Sequence, residues 1–428
     1  MGKLGLLRMA CIGFTLCATT ATISTAQTFT SLLSFNSTDG DRPLNGSLVQ
    51  GADGNLYGTT DLGGVSSNCT HDGGCGTVFE ITPDGELTTL YNFCAQAGCT
   101  DGEFPGFGLV LGTDGNFYGT TEQAGPNGFG TVFQITSAGV LTTLHGFDYG
   151  DGSVPTELVQ AANGNFYGTT QWGGTGTACS SNVGCGTVFK ITSAGTFTKL
   201  YNFCSQTSCT DGTTPLAGLV QARNGNFYGT TEGGGTNGDG TVFAIAGNGK
   251  FTTLYSFCSQ ANCNDGEFPQ AGLVQATNGS LYGTTSGGGT SALGTVFAIT
   301  TAGNLTTLYN FCSLRFCNDG AVPSGALVQG SDGNLFGTTL NAGLDASGSV
   351  FGITPAGRLT TLHVFDASDG ELPYAQLLQT ASGIFYGITS GGGTNGNGTV
   401  FSLSLATGSL ATGSLTTGES VKGVSSFR

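Results

Sequence analysis

An eight-residue motif that recurs along the chain restricts its possible folds more than any other feature. The motif reads NGNFYGTT at Asn163–Thr170 and at Asn224–Thr231, and five near-copies (DGNLYGTT, DGNFYGTT, NGSLYGTT, DGNLFGTT and SGIFYGIT) bring the total to seven. A chain that repeats one short unit folds as an array of like units, each packed on its neighbours. We therefore predict one repetitive body rather than several unrelated domains.

Each unit holds four short segments with the composition of β-strands. In order they read LVQ, the NFYGTT part of the motif, GTVFxIT and LTTLYxF, as at Leu219–Gln221, Gly76–Thr82 and Leu87–Phe93. Asn-Gly or Asp-Gly between the first two segments supplies the positive φ angles of a tight hairpin, so neighbouring segments should pair antiparallel. The GTVFxIT segment is apolar on both faces, so each sheet must be covered on both sides.

Seven such sheets predict an all-β fold, namely a seven-bladed β-propeller of four-stranded antiparallel blades over residues 27–404. No helical periodicity appears after residue 26, so almost no helix is expected. A linear β-solenoid is the alternative, but it needs capping ends and shorter coils.

The two ends of the repeat array indicate how the ring closes. Thr28–Phe35 (TFTSLLSF) matches the fourth segment of a unit, such as Lys250–Phe257 (KFTTLYSF), whereas the seventh unit has only its first three segments. We predict that the N-terminal strand pairs in the last blade and so removes the exposed edges of an open array. Residues 405–428 repeat LATGS and are expected to form a low-complexity tail.

The first 26 residues have the features of a signal peptide. Lys3 and Arg8 form a basic start, Met9–Cys17 is apolar but too short to span a bilayer, and Ser24–Ala26 is a small-residue cleavage site. No later stretch is long and apolar enough for a membrane helix. We expect a secreted protein, extracellular or at the cell surface, without a membrane span after signal removal.

The charge balance excludes some classes of partner. The chain has 27 Asp+Glu against 11 Lys+Arg, a net charge of −16, and loss of residues 1–26 removes only basic residues. Such a surface repels nucleic acid and anionic lipid. Solubility explains the charge most simply, with a cation-binding role as the alternative.

At these residues the chain resembles the GloVer tandem-repeat proteins, the "choice-of-anchor" extracellular repeat family of bacteria. The resemblance rests on the pattern GNFYGTT…GG…GTVFxIT…G.LTTLYxF over nearly the whole chain after residue 26. It implies a secreted or surface-attached bacterial protein without an established activity. The strand–GG–strand rhythm is also similar to kelch repeats, which are propeller blades, although the kelch Trp is absent.

Twelve of the fourteen cysteines fall into close pairs. The corners, which connect one unit to the next, and the loops between the second and third segments both occur in longer and shorter versions. The longer versions carry two Cys and the shorter versions carry none. The two Cys of one corner or loop are therefore predicted to bond to each other in an exported protein. Zinc is the alternative, but it needs four ligands where each pair offers two, and we expect no metal site and no cofactor. The predicted pairs are Cys69/Cys75, Cys94/Cys99, Cys179/Cys185, Cys204/Cys209, Cys258/Cys263 and Cys312/Cys317.

The loops after the second and fourth strands should share one face of a propeller. Asp61–Cys75 and Gln171–Cys185 are the two long loops there, and we predict that they wall a recess over blades one to three. Trp172, His71 and Tyr149 are the candidate ligand-binding residues, since aromatic walls suit sugar stacking. The alternative is that these rings pack under their own loops.

A DGxxP signal precedes every blade, with its acid at Asp39, Asp101, Asp151, Asp211, Asp265, Asp319 and Asp369. Calcium would need several oxygen ligands converging on one point, and the motif supplies one acid and one Gly. We predict that the Asp caps the turn between blades.

The sequence identifies no catalytic residue, because the usual nucleophile, zinc and phosphate-loop motifs are absent. Glu80, Glu122, Glu232 and Asp61 are acid/base candidates without distinctive spacing. We therefore expect a monomeric binding or interaction scaffold whose partner is a glycan or a surface protein. The alternatives are a carbohydrate-active enzyme (polysaccharide lyase or glycoside hydrolase) and a purely structural surface component.

Overall fold

The computed structural model describes residues 27–175, 184–342 and 347–405. These residues form seven antiparallel sheets, five with four strands and two with five. Helix is confined, within those ranges, to single 3-10 turns at Ala97–Cys99, Thr207–Cys209, Ala261–Cys263 and Arg315–Cys317. The predicted all-β class is confirmed. The predicted signal peptide and most of the predicted tail lie outside the described residues.

The strands follow chain order from blade to blade. Blades one to three comprise β2 (Val49–Gln50), β3 (Leu56–Thr60), β4 (Thr77–Ile81), β5 (Leu87–Asn92); β6 (Val110–Leu111), β7 (Phe117–Thr121), β8 (Thr131–Ile135), β9 (Leu141–Gly146); and β10 (Ser153–Pro155), β11 (Val159–Gln160), β12 (Phe166–Trp172), β13 (Thr187–Ile191), β14 (Phe197–Asn202).

Blades four to seven continue the series. They comprise β15 (Val220–Gln221), β16 (Phe227–Thr231), β17 (Thr241–Ile245), β18 (Phe251–Ser256); β19 (Val274–Gln275), β20 (Leu281–Thr285), β21 (Thr295–Ile299), β22 (Leu305–Asn310); β23 (Ala321–Pro323), β24 (Val328–Gln329), β25 (Leu335–Asn341), β26 (Ser349–Ile353), β27 (Leu359–Val364); and β28 (Leu378–Gln379), β29 (Phe385–Thr389), β30 (Thr399–Ser404) with β1 (Thr28–Ser34).

The N-terminal strand closes the ring. β1 pairs antiparallel with β30, with Thr28 opposite Ser404 and Ser34 opposite Thr399, as the sequence predicts. The core consists of seven apolar clusters, each lying between two neighbouring blades. One of them joins Phe35 and Phe79 to Ile388 and Val400, and so spans the seam between the first blade and the last.

The repeated motif explains how one blade holds the next. In blade four the Asn224 side chain donates to the Tyr228 hydroxyl at 2.7 Å and so supports the hairpin turn. The Thr230 hydroxyl donates to the carbonyl of Ala271 in blade five at 2.9 Å. The Thr231 hydroxyl pairs with that of Thr241 on the adjacent strand at 2.8 Å. All three threonine side chains are buried, so the blade-four copy of the motif satisfies these polar groups inside the core.

The DGxxP acids cap the corners between blades, as predicted. Asp265 is fully buried and accepts hydrogen bonds from the Tyr255 hydroxyl at 2.8 Å and from the backbone N–H groups of Ser259 and Gln260 at 2.9 and 3.1 Å. His145 and His363 replace this Tyr in two blades, and each binds the corner Asp at 2.9 Å. These acids are therefore structural.

Five of the six predicted disulfides are present: Cys69–Cys75, Cys94–Cys99, Cys204–Cys209, Cys258–Cys263 and Cys312–Cys317. Cys185 is also disulfide-bonded, and its predicted partner, Cys179, lies outside the described residues. Across the described ranges, no helix has the length and apolar character needed to cross a membrane.

Candidate functional site

The long loops and the corners share one face, which we call the loop face. Asn68, in the long loop of blade one, donates from its side-chain amide to the carbonyl of Ala95 at 3.0 Å, and Ala95 lies in the corner that leads to blade two. Gly125, in the corresponding loop of blade two, donates its N–H to the carbonyl of Cys99 in that corner at 3.0 Å. The variable part of the repeat is thus concentrated on the loop face.

The three predicted ligand-binding residues have different surroundings. His71 lies 3.2 Å from the Glu103 carboxylate, with its ring edge-on to Phe104. Tyr149 is partly exposed, and its ring is edge-on to Phe129 of blade two.

Trp172 is half-buried and belongs to β12, which runs two residues further than the equivalent strands of its neighbours, rather than to a loop. Much of the predicted wall after it, residues 176–183, lies outside the described residues. The recess over blades one to three therefore stays a prediction.

A groove of about 370 Å³ lies beneath the long loop of blade one. Val65, Ser66 and Ser67 form one side, and Tyr91 and Asn92 at the end of β5 lie opposite. The Asn92 side-chain oxygen accepts a hydrogen bond from the Val65 N–H at 2.8 Å, which holds the loop above the strand. The groove offers hydroxyl and amide groups beside an aromatic ring.

One corner differs from the others in what it displays. Three Cys-bracketed corners carry Gln-Ala-Gly, Gln-Thr-Ser and Gln-Ala-Asn between their cysteines, whereas the corner before blade six carries Leu314-Arg315-Phe316. Leu314 is 53% exposed and Phe316 is 49% exposed. The Arg315 guanidinium lies 4.4 Å from the centre of the Phe316 ring. We call these three residues the apolar knob.

The backbone of the apolar knob is fixed from both sides. The Cys312–Cys317 disulfide encloses it, and the buried Asp319 carboxylate accepts the N–H groups of Ser313 and Leu314 at 2.8 and 3.1 Å. Phe316 has φ 59°, in the left-handed region. Non-glycine residues pay a steric cost there, which Gly98 avoids at the same position of the first such corner.

The residue before each corner proline also has a positive φ, and its hydrogen bonds explain why. The Phe268 N–H donates to the carbonyl of Asp239 in the preceding blade at 3.0 Å, and its carbonyl accepts the Ser286 N–H of its own blade at 3.1 Å. The strained backbone therefore bridges two blades. Five of the seven side chains at this position are apolar. The seven residues are Arg42, Phe104, Val154, Thr214, Phe268, Val322 and Leu372.

Asp61 and Glu122, which follow the motif in blades one and two, come together beside Gly106 of the inner segment of blade two. A Cβ at Gly106 would collide with a Glu122 carboxyl oxygen and would lie 3.6 Å from Asp61 Oδ1, so both carboxyl groups flank the bare Gly106 Cα. Arg42 lies 4.0 Å from Asp61, whose side chain is only 10% exposed. Burial raises the pKa of Asp61 to about 6. Burial, and then the charge of Asp61, raise the pKa of Glu122 to about 7.

Three groups of cysteine and acidic side chains have the separations of metal ligands, for example Cys75 and Cys94 with Glu103. All cysteines in these groups are in disulfides and therefore offer no thiolate. None of the three groups is a candidate metal centre.

The sequence profile of the Gloeobacter/Verrucomicrobia repeat matches residues 18–181, 70–264 and 259–424, which together span nearly the whole chain. The chain belongs to the Gloeobacter/Verrucomicrobia repeat family. The predicted family resemblance is thereby confirmed. No curated protein sequence matches this member of the family.

Solved structures resemble this Gloeobacter/Verrucomicrobia repeat protein at low sequence identity. The extracellular domain of a hybrid two-component system from B. thetaiotaomicron superposes with a TM-score of 0.54 at 11% identity and covers 87% of this chain. This chain spans 39% of that protein's length. The periplasmic gluconolactonase of Pseudomonas aeruginosa has a TM-score of 0.46 at 17% identity, covering 74% of this chain and 84% of its own.

Sequence reasoning listed Asp61 and Glu122 but had no basis for pairing them, because they occupy the same repeat position in different blades. It missed the apolar knob, although the signal was present. Aligning the four Cys-bracketed corners shows Leu-Arg-Phe in one and small or polar residues in the rest.

Proposed function

We propose that this propeller is an exported binding scaffold that docks a protein of the cell surface through its loop face. The apolar knob carries this proposal. It is the one Cys-bracketed corner of the four that exposes large apolar side chains where the repeat otherwise places Gln, Gly, Ser or Asn.

The energetics favour a binding role over a structural one. Leu314 and Phe316 leave about half of their surface in water, and covering each would gain roughly 1 to 2 kcal/mol. The positive φ of Phe316 costs the free protein about 1 to 2 kcal/mol that Gly would not. Aromatic residues and Arg are enriched at protein interfaces, and the knob supplies one of each in Phe316 and Arg315.

The shape of the knob indicates the class of partner. A projecting Leu and Phe suit an apolar pocket on a folded protein, whereas sugars are usually bound in concave sites. Arg315 adds a cation on a chain of net charge −16, so the pocket should have a carboxylate at its rim. The disulfides support export, since such bonds persist in oxidising compartments.

Binding to intact cells of the producing bacterium tests this proposal. The labelled processed chain (residues 27–428) is compared with the variant Leu314→Gln/Arg315→Thr/Phe316→Ser, which copies the corner before blade four. Cell binding measured by flow cytometry should fall at least about tenfold in the variant, the loss expected for removing one hot spot. Ser208→Asn, an exchange between two corners of the repeat, should bind as the wild type does.

Treating the cells distinguishes the partner classes. Protease treatment should abolish binding if the partner is a protein, and periodate oxidation should leave it intact. The reverse result would indicate a polysaccharide, for which the hydroxyl and amide groups of the blade-one groove are the candidate site. Equal binding by the wild type and the knob variant would contradict the proposal.

A carbohydrate-active enzyme is the second candidate, and the Asp61–Glu122 pair favours it. Glycosidases use two facing acids, one protonated near neutral pH and one ionised, and the raised pKa of Glu122, about 7, suits the acid. A panel of polysaccharides incubated with the processed chain should then yield new reducing ends or unsaturated sugars, and Glu122→Gln should abolish them. Retention without turnover would leave the scaffold as the function.

A further inference from the structure

Glu157 lies in the central channel, where it departs from the repeat. The inner segment of blade three, Pro155-Thr156-Glu157-Leu158, is one residue shorter than in most blades. Glu157 directly precedes the Leu of the LVQ segment, where three other blades have Gly and the rest have Ser, Ala or Gln. Its Oε1 accepts a hydrogen bond from the Ser47 hydroxyl of blade one at 2.7 Å. Gly108 of the intervening blade makes room, since a Cβ there would lie 2.6 Å from Ser47 Oγ.

The Glu157 carboxyl has few partners in the part of the chain that the structure describes. Among the described residues Ser47 provides its only hydrogen bond, and no Lys, Arg or His pairs with it. Burial raises the pKa of this carboxyl. Glu157 is only partly exposed, and an ionised carboxylate that is largely withdrawn from water is stabilised when a cation or several hydrogen bonds compensate it.

Glu157 lines a small cavity on the propeller axis, to which all seven blades contribute. The Ser324 hydroxyl also lines this cavity, and it is buried without a hydrogen-bond partner among the described residues. Gln270 and Gln376 use their amide nitrogens on Glu232 and on the Leu327 carbonyl, which leaves their amide oxygens as acceptors. The polar groups available to an occupant are therefore mostly oxygens.

The size and chemistry of the cavity limit what it can hold. Its volume of about 40 Å³ admits a few waters or an ion but not an organic ligand. Oxygen donors around one carboxylate select a hard cation over zinc or copper, which prefer nitrogen and sulfur. A bound cation would compensate Glu157 and would satisfy Ser324.

We propose that the central channel binds a calcium ion through Glu157, with Ser324 and the amide oxygens of Gln270 and Gln376 as further ligands. With a single carboxylate, the site has the low ligand charge of extracellular calcium modules, whose dissociation constants are about 0.1 to 1 mM. The ion links blades three, five, six and seven across the channel. This site is independent of the proposed function, which lies on the loop face.

Thermal unfolding of the processed chain, with and without calcium, tests the site. After dialysis against EDTA, about 10 mM CaCl2 should raise the Tm by roughly 2 °C in the wild type. Glu157→Gln should be at least as stable without calcium, because no buried charge remains, and should not respond to it. Glu86→Gln, in an exposed turn, should respond as the wild type does.

Terbium provides a second readout that does not depend on stability. Tyr374 lines the cavity, so excitation of tyrosine should sensitise Tb³⁺ luminescence that calcium displaces. Ser324→Ala should weaken Tb³⁺ binding several-fold without unfolding the protein, which keeps the test valid if Glu157→Gln fails to fold. Equal Tm shifts in NaCl of matched ionic strength, or equal luminescence in wild type and Ser324→Ala, would overturn the proposal.

Discussion

Phe29, in the N-terminal strand, stacks face to face on His363 of blade six, with ring centroids 3.7 Å apart and planes inclined by 6°. Phe29 also lies 5.4 Å from the Phe401 ring of its own blade. The first strand of the chain therefore completes the last blade and also packs against the blade before it. Ring closure depends on side-chain packing as well as on the β1–β30 hydrogen bonds.

Replacing Phe29 with Ala should destabilise the whole propeller. The substitution removes the stacking on His363 and most of the apolar contact across two blades, at an expected cost of about 2 to 4 kcal/mol in the free energy of unfolding. Urea unfolding followed by tyrosine fluorescence measures this cost. A loss below about 0.5 kcal/mol, typical of an exposed site, would mean that β1 is not needed for closure.

The hydroxyls that link neighbouring blades can be tested against a natural control. Thr230 donates to Ala271 of the next blade, whereas the hydroxyl of the equivalent Thr284 is buried without a partner in the described structure. Thr230→Val should cost about 1 to 2 kcal/mol, and Thr284→Val should be neutral or slightly stabilising. Paired denaturant melts give both values, and equal effects would show that the bond between blades contributes nothing.

Asp61 and Glu122 should make stability fall as pH rises. A carboxyl with a raised pKa binds its proton more tightly in the folded state, so its contribution is greatest at low pH. This stabilising contribution is lost as pH rises from the unfolded-state pKa near 4 to the folded-state pKa, which is about 6 for Asp61 and about 7 for Glu122. At pH 8, Asp61→Asn should therefore stabilise the protein by roughly 3 kcal/mol, from the shift of about two units.

The measurement for this pair is the difference in Tm between wild type and Asp61→Asn across pH 4 to 8. The difference in Tm should widen as pH rises and close near pH 4, where Asp61 of the folded wild type is protonated and therefore as neutral as Asn. A gap independent of pH would contradict the raised pKa.

Asp265 should have the opposite dependence. Burial alone would raise the pKa of Asp265, but hydrogen bonds from Tyr255, Ser259 and Gln260 outweigh it and hold the pKa below its usual value. Its contribution is present above pH 4 and is lost as pH falls through the folded pKa. Asp265→Asn should cost about 2 to 3 kcal/mol at pH 7, since charge-assisted bonds are lost. Denaturant melts at pH 7 and pH 3 should show the difference shrinking in acid.

Phe316→Asn should make the free protein more stable. Asn tolerates the left-handed region better than Phe does, and Asn262 has φ 58° at the same position of another corner. We expect a gain of about 0.5 to 1 kcal/mol, and the converse change Asn262→Phe should cost a similar amount. Differential scanning calorimetry of both variants tests this. A loss of stability in Phe316→Asn would show that Phe316 serves the fold rather than a partner.

Sequence alone determined the architecture, because its signals are local or periodic. Asn-Gly turns and short β-rich segments specify hairpins, seven copies specify the number of blades, and the match of Thr28–Phe35 to a fourth strand specifies closure. The Cys pairs close rings of only a few residues, so their partners are evident from spacing.

Only the tertiary structure decided which side chains of different blades meet. Asp61 and Glu122 flank Gly106, and Glu157 reaches Ser47, which is 110 positions away in sequence. Those distances depend on how the blades pack around the axis and on which inner residues lack a side chain. No local hydrogen bond or periodic pattern encodes them, so the carboxyl pair and the channel cavity appear only once the ring is closed.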